Sequence, residues 1–180
     1  MLLLGCKPKG RHTEQHDVFF SVSDRFSGLT DAIYSFWPDA GRIHVDSWRK
    51  LSWVDGYAIR VVERESFVRP KNQPNLYFLN LGGYQPGNPE ELHYKLIVVA
   101  SNKTEAIRKA KETAFFKHTG FHGAASHIDD QYGVDVDDLY LIQDILPDSI
   151  KEKYALELIP EEGEADELHI GYTKLPPPLK

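Results

Sequence analysis

The sequence predicts an α+β fold: a tandem repeat of a small β-β-α-β-β unit, followed by a C-terminal β-hairpin. Three observations predict it. Leu4, Gly5, Gly10, Glu14, His16 and Val22 recur at one constant offset as Leu81, Gly82, Gly87, Glu91, His93 and Val99. His44, Asp46, Asp55, Tyr57 and Ile59 recur at a slightly larger offset as His127, Asp129, Asp138, Tyr140 and Ile142, which implies a short insertion in the second copy. Each copy also holds one amphipathic helical pattern among runs of β-forming residues. Strands around a single helix make a sheet with the helix on one face. A β-grasp-like roll and a split plait both satisfy that order. Units of this size are whole small domains rather than solenoid repeats. The expected boundaries are 1–68 for the first repeat, 69–75 for a linker, 76–147 for the second repeat and 148–180 for the hairpin and tail.

The elements follow in order. Leu2 to Leu4 is a short apolar strand, and Gly5 to Gly10 is a loop rich in Gly, Pro and Lys. Gln15 to Ser23 is dense in β-formers and reads as the second strand. Leu29, Ala32, Ile33, Phe36 and Trp37 fall on one helical face, with Ser27 as the expected N-cap and Pro38 as the stop. Ile43-His44-Val45 opens the third element, and Tyr57 to Val62 is the fourth. In the second copy Leu76 to Leu81 and Tyr94 to Ala100 are strands. The continuous apolar run of the latter suits a central strand covered on both faces. Asn102 with Glu105 three residues on resembles a capping box for a helix whose narrow apolar face is Ala106, Ile107, Ala110 and Ala114, with Gly120 as terminator. His127-Ile128-Asp129 and Tyr140 to Gln143 complete the unit. The Pro-containing stretch Glu63 to Asn75 is an extended, stiff connection. Tyr154 to Ile159 and Leu168 to Tyr172 form the expected hairpin around the acidic turn Pro160 to Glu167.

Composition bounds the function classes. A chain of 180 residues with 41% hydrophobic and 27% charged side chains is that of a soluble globular protein. A net charge of −6 argues against general nucleic-acid binding, which needs a basic face. The single cysteine, Cys6, forms no intrachain disulfide, which suits a reducing, cytoplasmic setting. Leu3-Leu4-Gly5-Cys6 has the look of a lipoprotein cleavage box but lacks a basic start and a long apolar run before it, so it reads as a strand. No apolar run reaches the length of a membrane span.

Leu81-Gly82-Gly83-Tyr84, then Glu91-Leu92-His93, then Ser126-His127-Ile128-Asp129-Asp130, then Val136-Asp137-Asp138-Leu139-Tyr140 resembles a bacterial family known only as a domain of unknown function, number fifteen forty-three in that series. The resemblance spans roughly residues 3 to 146 and implies a two-copy member. It departs at Cys6-Lys7, where the family pattern has Gly-Tyr. It implies no activity.

The chemistry-bearing residues are Glu-x-His and His-x-Asp in each copy: Glu14, His16, His44 and Asp46, then Glu91, His93, His127 and Asp129. On a strand, residues i and i+2 share a face, so each pair presents its imidazole and carboxylate together. If the strands are neighbours the pairs converge. The set then serves as a ligand-binding or acid/base constellation, or as a structural clasp. His12 with His16 and His118 with His122 are spaced i, i+4, but neither pair lies on a helical pattern with zincin chemistry, and no residue is assigned to a metal. Gly82 to Gly87 lacks the Lys-Ser/Thr of a P-loop, and Cys6 reads as a buried, inert thiol. Trp37, Trp48 and Trp53 read as packing residues. The resulting expectation is a non-catalytic module of two repeated domains binding an unidentified small ligand or protein, with self-association as a further option. The competing expectation is a metal-assisted or acid/base enzyme built on the His/Glu/Asp clusters.

Overall fold

In each half of the chain, alternation of buried and open side chains assigns one sheet face to a helix and the other to a polar cluster. A computed structural model describes residues 1–84, 87, 89–118 and 135–176, with backbone alone for Tyr84 and 114–118. Strands β1 (Leu2–Cys6), β2 (Gln15–Phe19) and β3 (Ile43–Trp48) form an antiparallel sheet with β1 in the middle, edged by β10 (His169–Lys174). Leu2, Leu4 and Cys6 alternate along β1 and are buried against Phe19, Ile33, Ala40, Ile43 and Val45. Ile33 comes from α1 (Thr30–Phe36), which follows a 3-10 turn at Phe26–Leu29. That turn displaces the helix start, so Leu29 rather than Ser27 occupies the N-cap and no side chain caps the helix.

The second sheet carries the same logic. Strands β6 (Asn75–Tyr84), β7 (Glu91–Ala100) and β8 (Asp135–Leu141) pair antiparallel in the order β7-β6-β8. Tyr77, Leu79, Leu81, Leu96 and Val98 pack against Ala106 and Ala110 of α2 (Lys103–His118). Leu76, Phe78, Ile97 and Val99 face the other way, into a core shared with Phe20, Val54, Ile142, Leu146 and Leu158. The apolar run of β7 is thus covered on both faces, as its composition predicts. Among the described residues, however, the strand lies at the edge and β6 takes the centre. Asn102 accepts the Glu105 N–H at 3.0 Å, and the Glu105 carboxylate accepts from the Ser101 N–H and hydroxyl at 2.8 and 2.5 Å. The reciprocal bond of the capping box therefore reaches one residue further back than expected.

The third sheet joins the ends of the chain to its middle. Strand β4 (Trp53–Val54) turns through Asp55-Gly56, both at positive φ, into β5 (Tyr57–Glu63). The Asp55 carboxylate accepts the Val99 N–H at 3.0 Å, tying this hairpin to the edge of β7. Strand β9 (Tyr154–Pro160) pairs with β5 along its whole length, from Tyr57↔Pro160 to Glu63↔Tyr154. The expected C-terminal hairpin is therefore not formed: β9 joins β5 and β10 joins β3. A partner strand is available to each in the first half, and pairing there buries Leu158 in the shared core. The acidic segment between them is partly tied down, with Asp166 accepting from the Ser52 and Trp53 N–H groups at 2.6 and 3.1 Å and from the Ser52 hydroxyl. Tyr140 and Leu141 end β8, while Ile142 and Gln143 begin the short helix α3 (Ile142–Ile145), not a fourth strand. Helix α4 (Asp148–Lys153) then leads into β9. His127, Asp129, His122 and Gly120 lie outside the described residues. No helix among the described residues is long and apolar enough to cross a membrane.

The cap of α2 sets a measurable pH dependence. Hydrogen bonds from Ser101 hold the Glu105 carboxyl at about 2, against an ordinary 4.5. A depressed carboxylate contributes stability that is present above the unfolded value and is lost as pH falls through the folded one. Glu105→Gln is expected to lower the melting temperature at pH 7. The gap to wild type should close as pH falls from about 4.5 to about 2, as followed by circular dichroism.

Candidate functional site

Both clusters sit on the sheet face turned away from the helix. Gly5 pairs with His16 on one side and His44 on the other, so three consecutive strands place His16, Gly5 and His44 in one row. Glu14 precedes His16 by two and Asp46 follows His44 by two, on the same face. Asp46 falls at a register shift between Leu4↔Val45 and Leu3↔Ser47. A bulge of this kind re-aims a side chain, here inward over Gly5.

The four side chains close a ring. His16 Nε2 lies 3.7 Å from Glu14 Oε2 and 3.3 Å from Asp46 Oδ2, and His44 Nε2 lies 3.4 Å from Glu14 Oε1 and 3.1 Å from Asp46 Oδ1. Each carboxylate thus offers one oxygen to each imidazole. None of the four contacts is an aligned N–H···O hydrogen bond; each Nε2 sits between two carboxylates. The row has space for this because position 5 lacks a side chain. A Cβ there would run into His44 Nε2 and lie 3.0 Å from Asp46 Oδ2. His44 is buried and its ring lies 4.5 Å from that of Tyr172 on β10, whereas Glu14 and His16 remain half open to solvent. The neighbouring Cys6 thiol is pushed up by burial and by the Glu14 charge, which keeps it protonated and inert.

The second cluster repeats the geometry with a different membership. Gly82 pairs with His93 and with Asp135, and the register of β6 with β8 shifts between Asn80 and Leu81, leaving Asp137 at the bulge. His93 Nε2 lies 3.8 Å from Glu91 Oε2 and 3.3 Å from Asp137 Oδ2, and ligand atoms of all three lie within 4.8 Å of one another. A Cβ on Gly82 would run into Asp137 Oδ2 and lie 2.5 Å from Glu91 Oε1. Asp135 holds beside Gly82 the place that His44 holds beside Gly5. Burial and the nearby Glu91 charge push the Asp137 carboxyl up, and His93 offsets this only in part.

Of the eight predicted residues, six are described and all six lie in these two clusters: Glu14, His16, His44 and Asp46 together, and Glu91 with His93. Asp137, Asp135, Gly5 and Gly82 were not assigned to a site from sequence. The shared Val-Asp of Val45-Asp46 and Val136-Asp137 is the signal that finds Asp137, and it competes with His-x-Asp at 127–129. His12 is exposed on the loop before β2, and His16 lies on a strand, so the pair lacks helical geometry.

The model of a Domain of Unknown Function, DUF1543, matches residues 11–61. The DUF1543 segment contains Glu14, His16, His44 and Asp46, the whole first ring. No curated protein matches the chain. The crystal structure of a protein Il1583 from Idiomarina loihiensis matches with a TM-score of 0.62 at 22% identity, covering 97% of this chain and 95% of that one. That likeness shows the fold and extends it well beyond the DUF1543 segment.

The raised Asp137 carboxyl carries its own consequence. A carboxylate whose folded value exceeds its unfolded one destabilises the fold once pH rises above both. Asp137→Asn is therefore expected to raise the melting temperature at pH 7 in chelator-treated protein, by up to a few degrees. The advantage should shrink on acidification below the ordinary aspartate range. A thermal-shift series over pH checks both parts.

Proposed function

We propose that the protein is a binding module for a first-row divalent cation, held by Glu14, His16, His44 and Asp46. One observation carries the reading: two imidazole nitrogens each sit between two carboxylates at 3.1–3.7 Å without forming aligned hydrogen bonds. A structural clasp favours the opposite, with each N–H aimed at one oxygen. Tetrahedral zinc with bonds near 2.0–2.2 Å separates its ligand atoms by roughly 3.4 Å, and neighbouring imidazole and carboxylate atoms of this ring lie 3.1–3.7 Å apart; across the ring its atoms stand wider than those of Glu91, His93 and Asp137, so the ring contracts to take the ion. Imidazole and carboxylate together suit zinc and its first-row neighbours, not calcium or magnesium.

Four protein ligands close a tetrahedral site, which fits binding without chemistry. The common layout of Gly5 with Gly82, His16 with His93 and Asp46 with Asp137 supports a duplicated unit in which the second copy has exchanged one imidazole for Asp135. With Glu91, His93 and Asp137, that copy offers three ligands and an open position. This is the feature that supports the alternative of metal-assisted chemistry at the second cluster.

Calorimetric titration of chelator-treated protein with zinc chloride tests the reading. One tight site is expected, lost in both His16→Ala and His44→Ala, with a second and weaker site lost in His93→Ala. At a hundredfold excess over Kd the tight site should stabilise the fold by about 2.7 kcal/mol. Absence of a stoichiometric site, or unchanged binding in the His44→Ala protein, rejects it. Gly5→Ala, which leaves every ligand in the chain but crowds His44, is expected to weaken binding at least tenfold.

A further inference from the structure

At the opposite end of the first sheet from the ring lies a cleft of about 650 Å³. It opens between the Leu2 and Trp48 ends of β1 and β3, the β5–β9 pair and α3. Its floor is apolar: Phe20, Leu51, Ile59, Leu76, Ile142 and Leu156 line it. Val61, which also lines it, is 45% exposed, so the described residues leave this apolar surface open. Its volume lies within the range of small-molecule sites, which combine an apolar body with a few placed polar groups.

The charge of the lining runs against that of the chain. Arg25, Arg49 and Lys50 line the cleft with a single carboxylate, Asp24, in a protein of net charge −6. Arg25 and Lys50 are exposed, at the mouth, and Arg49 is half-buried. None of the three forms an ion pair among the described residues. Asp166 lies near enough to Lys50 to feel its charge, but it is outside the lining and holds Ser52 and Trp53, so the three cations still outnumber the acids of the cleft and are complementary to an anionic head group.

We infer that this cleft binds an amphipathic monoanion, with a carboxylate head held by Arg49 and Lys50 and an apolar tail lying over Phe20, Ile59, Leu76 and Leu156. The site is separate from the cation ring. Gly5 and Leu2 are three residues apart on β1, roughly 10 Å along a strand. Occupation of one therefore does not require the other.

Dodecanoate, titrated calorimetrically below its micellar concentration, is the probe. One molecule is expected to bind per chain, at least tenfold more tightly than dodecan-1-ol or dodecylammonium. The Arg49→Gln, Lys50→Gln double variant should lose at least tenfold in affinity. Val61→Trp, at an exposed position that tolerates a larger ring, should block entry while keeping the wild-type melting temperature. Binding should persist in His44→Ala, which separates this outcome from that of the cation site. Absence of saturable 1:1 binding overturns the inference. So do equal affinities for the acid and the alcohol, or undiminished binding by either folded cleft variant.

Discussion

Gly5 lies between two histidines, and that cross-strand row is the constraint on which the site depends. Antiparallel pairing puts His16 and His44 on either side of it with neighbouring strands about 5 Å apart. Two imidazoles so placed reach over a position that has no side chain, and the carboxylates two residues along each strand reach over it as well. The arrangement needs the β1–β2 register, the β1–β3 register and the bulge at Asp46 at once. A slip of one residue in any strand would turn its cluster residues onto the helix-packed face. The buried alternation of Leu2, Leu4 and Cys6 prevents that slip, because the slipped register would bring Gly5 and His44 into the apolar layer under α1. Core packing and site geometry are therefore two readings of one register.

The second sheet applies the same register to a longer strand. Its helix-free face is divided along its length. Gly82, Glu91 and His93 occupy one end, and Leu76, Phe78, Ile97 and Val99 occupy the other. The polar end stays open to solvent; the apolar end makes the core that joins the two halves. Strands β9 and β10 complete the join by returning to β5 and β3, and β10 brings Tyr172 against His44. The C-terminal segment thus belongs to the first half by pairing, although it follows the second half in sequence.

Much of this was legible in the sequence. The helix and strands of the first half, the two-faced burial of β7 and the Asn102 cap follow from local pattern. The convergence of Glu14, His16, His44 and Asp46 is legible only in part: alternation gives the face of His16 and of His44, but β2 and β3 are not neighbours, and it is Gly5 on the intervening β1 and the bulge at Asp46 that let the four meet. The less legible parts are those that depend on strand partners. Nothing local distinguishes a hairpin of β9 and β10 from two strands that each seek an open edge elsewhere. The role of Asp137 depends on which strand lies beside β6, and the competing His127-Ile128-Asp129 carries the more conspicuous residue types. Ile142 continues an apolar β-like run yet turns into α3, where it packs against Phe78 and Leu158 in the shared core. Tertiary packing overrides local preference there.

The central claim is that the point between Glu14, His16, His44 and Asp46 is a coordination site and not a set of paired charges. Anomalous-difference density collected at the zinc absorption edge, from crystals grown with zinc chloride, tests it most directly. The account predicts a single strong peak within about 2.2 Å of both Nε2 atoms and of an oxygen from each carboxylate. Density without such a peak, with each imidazole turned to donate a straight hydrogen bond to one carboxylate, would contradict it.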